Sequence, residues 1–142
     1  MPFPKKSFAT PYNKYKVSAK ADRTFDGIVF DSKWELKVYQ WLQANLEGAF
    51  ELQPKFLLLE KFRDFEGKAQ REIAYFADFK IWSVNKDRFI IVDAKGLLTS
   101  DFKLKKKLFM SRYPDIPLYL PKNEKQLKAI PWEKHGIKIK KQ

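Results

Sequence analysis

The stretch Ile90-Ile91-Val92-Asp93-Ala94-Lys95-Gly96 ends an apolar run with two charged residues. Its apolar part predicts a β-strand, in which successive side chains point to opposite faces of the sheet. Asp93 and Lys95 therefore share one face, whereas Val92 and Ala94 turn to the other. The sequence thus predicts a carboxylate and an ammonium group side by side on a buried strand.

A second carboxylate, Asp78, interrupts the apolar segment of residues 73–82. Aspartate is depleted in such strands because a half-buried strand keeps its charge from solvent. Only residues 84–87 separate this segment from the strand that leads to Asp93, so the two should form an antiparallel hairpin. Asp78 is then expected near Asp93. A shared divalent metal would explain two carboxylates on neighbouring buried strands.

A third carboxylate belongs to a predicted helix that is capped by Asp31 or Ser32 and runs to about residue 46. At about 100° per residue, one arc of this helix is apolar. The members of the arc are Trp34, Val38, Trp41, Leu42 and Leu46. Glu35 lies inside it. The alternative is a glutamate at the rim, whose stem packs while its carboxylate reaches water; the two nearby aspartates favour a buried functional group.

Composition narrows the class of partner. The chain of 142 residues carries 29 Lys and Arg against 17 Asp and Glu, a net charge of +12. Such an excess favours a polyanion, either nucleic acid or an anionic membrane surface. Nucleic acid is the better candidate, because no apolar run approaches the roughly 20 residues of a membrane span and no signal-peptide pattern opens the chain.

Scarce residue types exclude other chemistries. The absence of cysteine excludes disulfides and cysteine-ligated zinc, and it suits a reducing cytoplasm. The single histidine, His135, lies in a lysine-rich tail, which argues against a Ser-His-Asp triad and excludes sites with several histidine ligands. We interpret His135 as a surface residue. Carboxylates, lysines and a hard metal remain as the means of hydrolysis.

The chain is long enough for one domain with a hydrophobic core. Residues 1–16 hold three prolines and four lysines without a sustained hydrophobic period, which predicts a flexible basic arm before a single domain of residues 17–142. Residues 17–23 are predicted to form a short strand that turns at Asp26-Gly27 and returns through residues 28–30. Pro54 indicates an edge strand or a strand end.

A second helix is predicted from a cap at Ser100 or Asp101 to about residue 113. Its inner arc should hold Phe102, Leu104, Leu108 and Phe109. This helix is a crossover, so residues 116–120 should form a strand parallel to residues 88–94. A weak helix over residues 123–130 follows, and residues 136–140 form an edge strand or trail away.

Lys103, Lys106 and Lys107 share the outer side of this second helix. An ordinary solvated face is the alternative, and it would be preferred for such a cluster in isolation. Because the cluster follows directly on Asp93 and Lys95, we interpret it as a contact surface for a phosphate backbone.

Four segments carry a resemblance to a known family. Ser32-Lys33-Trp34-Glu35, Gln53-Pro54, Tyr75-Phe76-Ala77-Asp78-Phe79 and Asp93-Ala94-Lys95-Gly96 follow, in order and approximate spacing, the pattern of the PD-(D/E)XK nuclease superfamily. The chain is similar above all to its small phage nuclease-like members, including junction-resolving endonucleases and transposon-end nucleases. Ala77 stands where the family pattern has proline, but the chemistry depends on the carboxylate that follows.

The resemblance implies an α/β (α+β) fold with an αβββαβ core, in which helices flank a mixed sheet. It implies that Glu35, Asp78 and Asp93 bind Mg²⁺, for which Mn²⁺ should substitute. It also implies that Lys95 orients or activates the attacking water. Gln53 is a weaker candidate for a DNA contact and could equally bond backbone at a strand end.

Thr99 is another weak candidate for a phosphate contact, because it could instead only shape the loop before its helix. Together these features predict a metal-dependent DNA endonuclease that leaves a 5′-phosphate and prefers branched, junction or single-stranded DNA in phage DNA processing. The alternative is a non-catalytic nucleic-acid-binding accessory protein with a nuclease-like fold. The presence of every charged position of the site favours the enzyme.

The expected partners are DNA, whether branched, single-stranded or duplex, and a second copy of the chain in a homodimer. A membrane adaptor is disfavoured because the sequence lacks an amphipathic insertion helix. The expected location is the cytoplasm, that of the host cell for a phage-encoded protein.

Overall fold

The computed structural model describes residues 18–140, in which short strands and helices combine. The strands are β1 (Thr24–Phe25), β2 (Ile28–Val29), β3 (Phe50–Leu52), β4 (Lys55–Leu59), β5 (Phe62–Arg63), β6 (Ala69–Gln70), β7 (Ile73–Phe76), β8 (Phe79–Trp82), β9 (Phe89–Val92) and β10 (Leu118–Tyr119). The α-helices are α1 (Lys33–Asn45), α2 (Ser100–Arg112) and α3 (Glu124–Lys128), and 3₁₀ helices cover Lys20–Arg23 and Glu133–His135. The fold is therefore mixed α/β. The predicted basic arm, residues 1–16, lies outside the described residues.

Helix α1 begins where the sequence supplies a cap for it. The Ser32 hydroxyl accepts a hydrogen bond from the Glu35 N–H at 3.1 Å, which satisfies one of the free donors of the first turn. Val38 and Leu42 are fully buried, so the predicted apolar arc does face the core. The arc also carries the Glu35 carboxylate inward, because Glu35 lies one turn before Val38.

A four-stranded mixed sheet in the order β10-β9-β8-β3 forms the centre of the fold. Strand β8 pairs antiparallel with both β3 and β9, which confirms the predicted hairpin across residues 84–87. Strand β10 is parallel to β9, as the crossover through α2 predicts. The β1–β2 hairpin turns at Asp26 and Gly27, both with positive φ, and this turn is also confirmed.

The two faces of β9 contact different cores. Ile90 and Val92 pack with Val38 and Leu42 of α1, whereas Ile91 packs with Phe109 of α2. A strand covered by a helix on each side has no solvent-exposed face, which explains its continuous apolar run. Any charge placed at the end of such a strand is held in a buried environment.

Two of the predicted strands are wrong in part. Residues 20–23 form a 3₁₀ helix instead of a strand, because the Arg23 guanidinium bonds the carbonyls of Ser18 at 2.9 Å and Phe30 at 2.6 Å and holds the chain in a compact turn. The predicted strand over residues 73–82 is two strands, β7 and β8, which separate at Ala77 and Asp78. β7 pairs with β4 in a second, two-stranded sheet.

The cap of helix α2 lies one residue earlier than predicted. The Thr99 hydroxyl, not Ser100 or Asp101, accepts the Phe102 N–H at 3.1 Å, because Thr99 is the extended residue that precedes the first turn. Phe102 and Phe109 are buried as predicted, but Leu104 is 57% exposed and does not belong to the inner arc. At about 100° per residue, Leu104 lies about 200° around the helix from Phe102, so it is on the opposite side from the two phenylalanines.

The C-terminal part of the described chain is packed against α1. Helix α3 confirms the predicted helix of residues 123–130 in shorter form, with Asn123 as its cap. Ile139 forms an isolated antiparallel bridge with Leu46. His135, predicted to lie on the surface, is half-buried, and its Nε2 shares a 2.6 Å hydrogen bond with the Tyr119 hydroxyl.

Candidate functional site

Two aligned breaks in the strands create the candidate site. Strand β3 ends before Gln53-Pro54, and the paired strand is broken at Ala77-Asp78. Across the breaks, the Gln53 N–H donates to the Asp78 carbonyl at 2.9 Å and the Ala77 N–H to the Pro54 carbonyl at 3.2 Å. The chain therefore bends at the same level on both strands, and Asp78 lies at this bend.

Asp78 and Asp93 face each other at the end of the β8–β9 hairpin. Phe79 pairs with Val92 in the register, so the two aspartates are the next opposed positions. One carboxylate oxygen of Asp78, Oδ2, accepts the Ala94 N–H at 2.8 Å. The predicted proximity of the two carboxylates is confirmed.

The two aspartates cannot both carry a full charge without compensation. Burial raises the pKa of Asp78 to about 10, with further upward contributions from its hydrogen bond with Asp93 and from the charges of Asp93 and Glu35, against a lowering by Lys95. A hydrogen bond between two carboxyl groups requires a proton on one of them. Without a bound cation, the pair therefore holds a proton at neutral pH.

Asp93 is completely buried. Its Oδ2 accepts a short hydrogen bond from the Tyr75 hydroxyl, and burial, followed by the nearby Asp93 charge, raises the pKa of that hydroxyl. The other oxygen, Oδ1, has no hydrogen-bond donor in the described part of the chain. The closest cation is the Lys95 ammonium, whose Nζ lies 3.7 Å from Oδ1. Asp93 therefore keeps one oxygen available to a further cation.

Glu35 approaches the aspartates from the first turn of α1. It is only 4% exposed, which excludes the alternative of a rim residue with its carboxylate in water. Its Oε2 accepts the Asp31 N–H at 3.0 Å, and the Asp78 carboxyl group lies within hydrogen-bonding reach. Burial is the main cause that raises the pKa of Glu35, and the negative charges of Asp31 and Asp93 add to it.

Lys95 is the accessible member of the group. Its side chain is about one-third exposed, and its ammonium lies 5.2 Å from the centre of the Phe102 ring. Val92 and Ala94 pack on the α1 side of the sheet, whereas Asp93 and Lys95 contact Tyr75 and Phe102 on the α2 side. The predicted alternation along residues 92–95 is thus confirmed, and it turns the ammonium toward solvent beside a buried carboxylate.

The donor set fits a hard divalent cation. Carboxylate oxygens are the ligands that Mg²⁺ prefers, and Asp93 Oδ1 is a buried oxygen without a donor. Within residues 18–140, however, no group of three or more His, Asp or Glu side chains is arranged to hold a metal ion as it stands. Burial raises the pKa values of Glu35 and Asp78, so metal binding would require the Asp78 proton to leave and the carboxylates to adjust.

The weaker candidates occupy different positions around this centre. Gln53 has a positive φ of 53° and an exposed side chain, and its backbone is bonded to Asp78. Non-glycine residues in this region of φ are strained and cluster at functional sites. The hydroxyl of Thr99 is used as the α2 cap.

The lysine cluster of α2 starts one turn from the site. Lys103 and Lys107 are exposed and Lys106 is half-buried, and none of them pairs with a carboxylate in the part of the chain that is described. Phe102, next to Lys103, is the residue that contacts Lys95. Helix α2 thus connects the site to an unpaired basic surface.

Sequence reasoning missed Tyr75, whose hydroxyl is bonded to Asp93. Tyr75 is 3% exposed and lies in a strand whose neighbours are apolar. A buried tyrosine usually places its hydroxyl on a polar partner, so a tyrosine in an otherwise apolar strand was an available signal. The strand break at Ala77-Asp78, which lets both residues reach the same site, was not visible in the sequence.

No helix within residues 18–140 is long and apolar enough to cross a bilayer. Comparison with curated proteins found no match, and comparison with solved structures found none either. A family model matches residues 12–128, a range that includes Glu35, Asp78, Asp93 and Lys95. The chain therefore belongs to the family described as protein of unknown function DUF1064.

Proposed function

We propose that this protein is a metal-dependent DNA endonuclease of the PD-(D/E)XK type. The observation that carries the proposal is the meeting of Glu35, Asp78 and Asp93 in a buried site with Lys95, about one-third exposed, beside them. Carboxylates this deeply buried are costly unless they serve a purpose, and perturbed carboxyl groups cluster at functional sites. The element order α1, β3, β8, β9, α2, β10 supports an αβββαβ core of the restriction-endonuclease kind.

The three carboxylates are the residues that would hold Mg²⁺ or Mn²⁺. Asp93 offers Oδ1, and Asp78 and Glu35 contribute oxygens once the shared proton is displaced. A bound divalent ion supplies positive charge that polarises the scissile phosphate and makes a nearby water more acidic. Tyr75 and the Ala94 N–H each bond one aspartate, and so fix the orientation of Asp93 and Asp78.

Lys95 acts on the reacting groups from the solvent side. Its ammonium is held by Asp93 Oδ1 and the Phe102 ring, and it remains accessible to a substrate. There it orients the attacking water and stabilises the negative charge that develops on the phosphate. The water oxygen bonds to phosphorus while the bond from phosphorus to O3′ breaks and O3′ takes up a proton. The products carry a 5′-phosphate and a 3′-hydroxyl.

The basic helix α2 supplies affinity for the backbone of the substrate. Lys103, Lys106 and Lys107 lie next to the site and lack carboxylate partners in residues 18–140. Gln53, whose backbone N–H is bonded to the Asp78 carbonyl, would contact the scissile region. The sequence contains no base-reading motif, so shape and backbone contacts should select the target, which favours branched, junction or single-stranded DNA.

The test is cleavage of supercoiled plasmid, single-stranded circles and four-way junctions by purified protein with Mg²⁺, with Mn²⁺ or with EDTA. We expect cleavage with either metal, none with EDTA, and 5′-phosphate ends. Asp78→Ala and Asp93→Ala should abolish cleavage and still fold, because each change removes a ligand and relieves carboxylate repulsion. Asp115→Ala, at an exposed aspartate outside the site, is the matched control.

Two outcomes would overturn the proposal. Cleavage by Asp78→Ala at the wild-type rate would show that the activity belongs to another site or to a contaminant. Binding of DNA without cleavage in every metal would favour instead a nucleic-acid-binding accessory protein with a nuclease-like fold.

A further inference from the structure

A cleft of about 1020 Å³ lies apart from the candidate site, between the second half of α1 and residues 128–140. Its lining includes Trp41, Trp132, Lys134, Lys138 and Lys140, and none of Glu35, Asp78, Asp93 and Lys95. Trp41 lies two turns of helix after Glu35, and Asn45, also in the lining, lies further along. At 1.5 Å per residue, the cleft begins about 9 to 15 Å along the helix axis from the site.

The charges of the cleft favour an anion. Its four lysines face two glutamates, Glu47 and Glu133. Lys128 is paired with Glu124 at 3.0 Å, whereas the other three, Lys134, Lys138 and Lys140, are exposed and have no ion pair with a carboxylate of residues 18–140. Three exposed, unpaired ammonium groups along one cleft are what a chain of phosphates requires.

The backbone gives two of these lysines a fixed spacing. The segment around Ile139 is extended and antiparallel to the end of α1: the Lys140 N–H donates to the Asn45 carbonyl at 2.6 Å, and the Glu47 N–H to the Lys138 carbonyl at 3.1 Å. Ile137 is buried and Lys138 and Lys140 are exposed, so the two lysines share one face about 6.6 Å apart along the chain. The spacing of Lys138 and Lys140 is therefore fixed by backbone hydrogen bonds.

The cleft also contains an aromatic wall. The half-buried Trp41 stacks on Trp132, with ring centres 5.6 Å apart and an interplanar angle of 29°. Trp132 is buried, and its indole N–H has no acceptor in the described residues. A supported, partly exposed indole next to a row of cations is the combination by which proteins hold unpaired bases and their backbone.

We propose that this cleft binds an unpaired strand of DNA, with phosphates on Lys134, Lys138 and Lys140 and a base against Trp41. The inference rests on the proposed function for its choice of DNA, and it adds a substrate-binding site that the carboxylates do not provide. A flap or the open arm of a branched substrate would lie in the cleft while the scissile bond lies at the carboxylates. Duplex DNA cannot place a base on Trp41 without opening.

The test uses the full-length protein in EDTA, so that no cleavage occurs, with a fluorescent thymidine 15-mer. Lys134→Ala/Lys138→Ala/Lys140→Ala should bind about tenfold more weakly, and the slope of log K against log salt should shrink by up to about 2. Lys37→Ala/Lys61→Ala/Lys68→Ala removes the same charge from exposed positions outside the cleft and is the matched control. Circular dichroism checks that both triple variants remain folded.

Trp41→Phe provides a second readout that a loss of charge would not change. The oligonucleotide should quench tryptophan fluorescence in the wild type, and this variant should lose most of the quenching. Equal weakening by the two triple variants, or quenching unaffected in Trp41→Phe, would overturn the proposal. If the cleft variant alone binds the oligonucleotide more weakly but the wild-type protein cleaves no DNA, the proposed nuclease function is wrong and the cleft is still a DNA-binding site.

Discussion

At the scale of single residues, the protonated pair of Asp78 and Asp93 makes the stability of the metal-free protein depend on pH. The folded state holds a proton on Asp78 up to about pH 10, whereas an unfolded aspartate releases it near pH 4. Between these values the folded state binds more protons than the unfolded state, so stability decreases as pH rises. The contribution of Asp78 to the free energy of unfolding should be complete below pH 4 and should be lost progressively as the pH rises toward 10.

Asp78→Asn should remove this dependence. The amide keeps an acceptor for the Ala94 N–H and donates permanently to Asp93, where the acid needs its proton. In EDTA at pH 9, we expect a melting temperature about 5 °C above that of the wild type, and a smaller difference at pH 5. A thermal scan across pH tests this, with Asp115→Asn as the control. An Asn variant less stable than the wild type at pH 9 would contradict the shared proton.

Tyr75→Phe tests the hydrogen bond that orients Asp93, because it removes the bond and keeps the carboxylate. Removal of the hydroxyl takes the Tyr75 hydrogen bond from Oδ2 of a fully buried carboxylate, which costs about 1 to 3 kcal/mol of the free energy of unfolding. Urea denaturation in EDTA measures this loss. Mg²⁺ should restore part of the stability, since the ion supplies the missing partner. A variant as stable as the wild type would show that the bond contributes nothing.

Lys95→Ala should reduce turnover far more than metal binding. The ammonium is 3.7 Å from Asp93 and is not a ligand, so its removal eliminates charge stabilisation of the transition state. We expect a loss of about 100-fold or more in single-turnover cleavage, with Mg²⁺ affinity measured by calorimetry unchanged or slightly higher. A large loss of Mg²⁺ affinity with normal turnover of the loaded enzyme would assign Lys95 to metal binding instead.

At the scale of elements, helix α2 connects the carboxylate site to the lysines that we propose contact the DNA backbone. Phe102 fixes its start against Tyr75 and Lys95, and Phe109 packs it on β4. The helix therefore has a defined position relative to the carboxylates. Lys103 and Lys107, both exposed, are thus held in fixed positions relative to the carboxylates by the packing of the two phenylalanines.

Neutralising Lys103, Lys106 and Lys107 should weaken binding to duplex DNA of any sequence by the same factor. If all three contact phosphates, the slope of log K against log salt should shrink by about 2.7, that is, about 0.9 per contact. Fluorescence anisotropy at several salt concentrations measures the slope, with the triple variant at Lys37, Lys61 and Lys68 as the control. If the affinity and the salt slope are both unchanged, the three lysines form an ordinary solvated face that does not contact DNA.

At the scale of the whole molecule, one carboxylate site per chain limits what a single protomer can do. Paired cuts across a junction require two protomers related by a two-fold axis, or two successive encounters. One edge suited to such contact, that of β4, is partly covered, because the Tyr113 hydroxyl donates to the Leu57 carbonyl at 2.8 Å. The β1–β2 hairpin, with Phe25 and Val29 exposed, remains open to a partner.

We predict a homodimer on junction DNA and a preference of at least about tenfold for branched over linear duplex DNA. The reason is that shape and backbone contacts, without base readout, reward a substrate that reaches more than one surface. Light scattering of the complex and competition cleavage assays test the two statements separately. If the protein on junction DNA is strictly monomeric, paired cuts by a dimer are excluded. If branched and linear duplex DNA are cleaved equally, the predicted selectivity for branched DNA is wrong, but the protein is still a nuclease.

Several features of the fold were predictable because they depend on neighbours in the chain. Ser32 caps α1 through a donor three residues away, Asp26-Gly27 turns a hairpin, and the alternation from Val92 to Lys95 follows from the geometry of one strand. Helical periodicity placed Glu35 on the apolar arc, and the two nearby aspartates favoured a buried group over a residue at the rim, as the structure shows. Leu104 was predicted wrongly, because at about 100° per residue it lies on the side of α2 opposite Phe102 and Phe109 and is exposed.

By itself, the sequence determined which charged side chains could meet: Glu35, Asp78 and Asp93 with Lys95. Only the tertiary structure decided that the strand breaks at Asp78, that Tyr75 bonds Asp93, and that Trp41 and Lys138 line one cleft. The physical reason is the separation along the chain over which each kind of interaction acts. Caps, turns and periodicity act within a few residues, whereas burial, shared protons and clefts arise between segments that only the packed fold brings together.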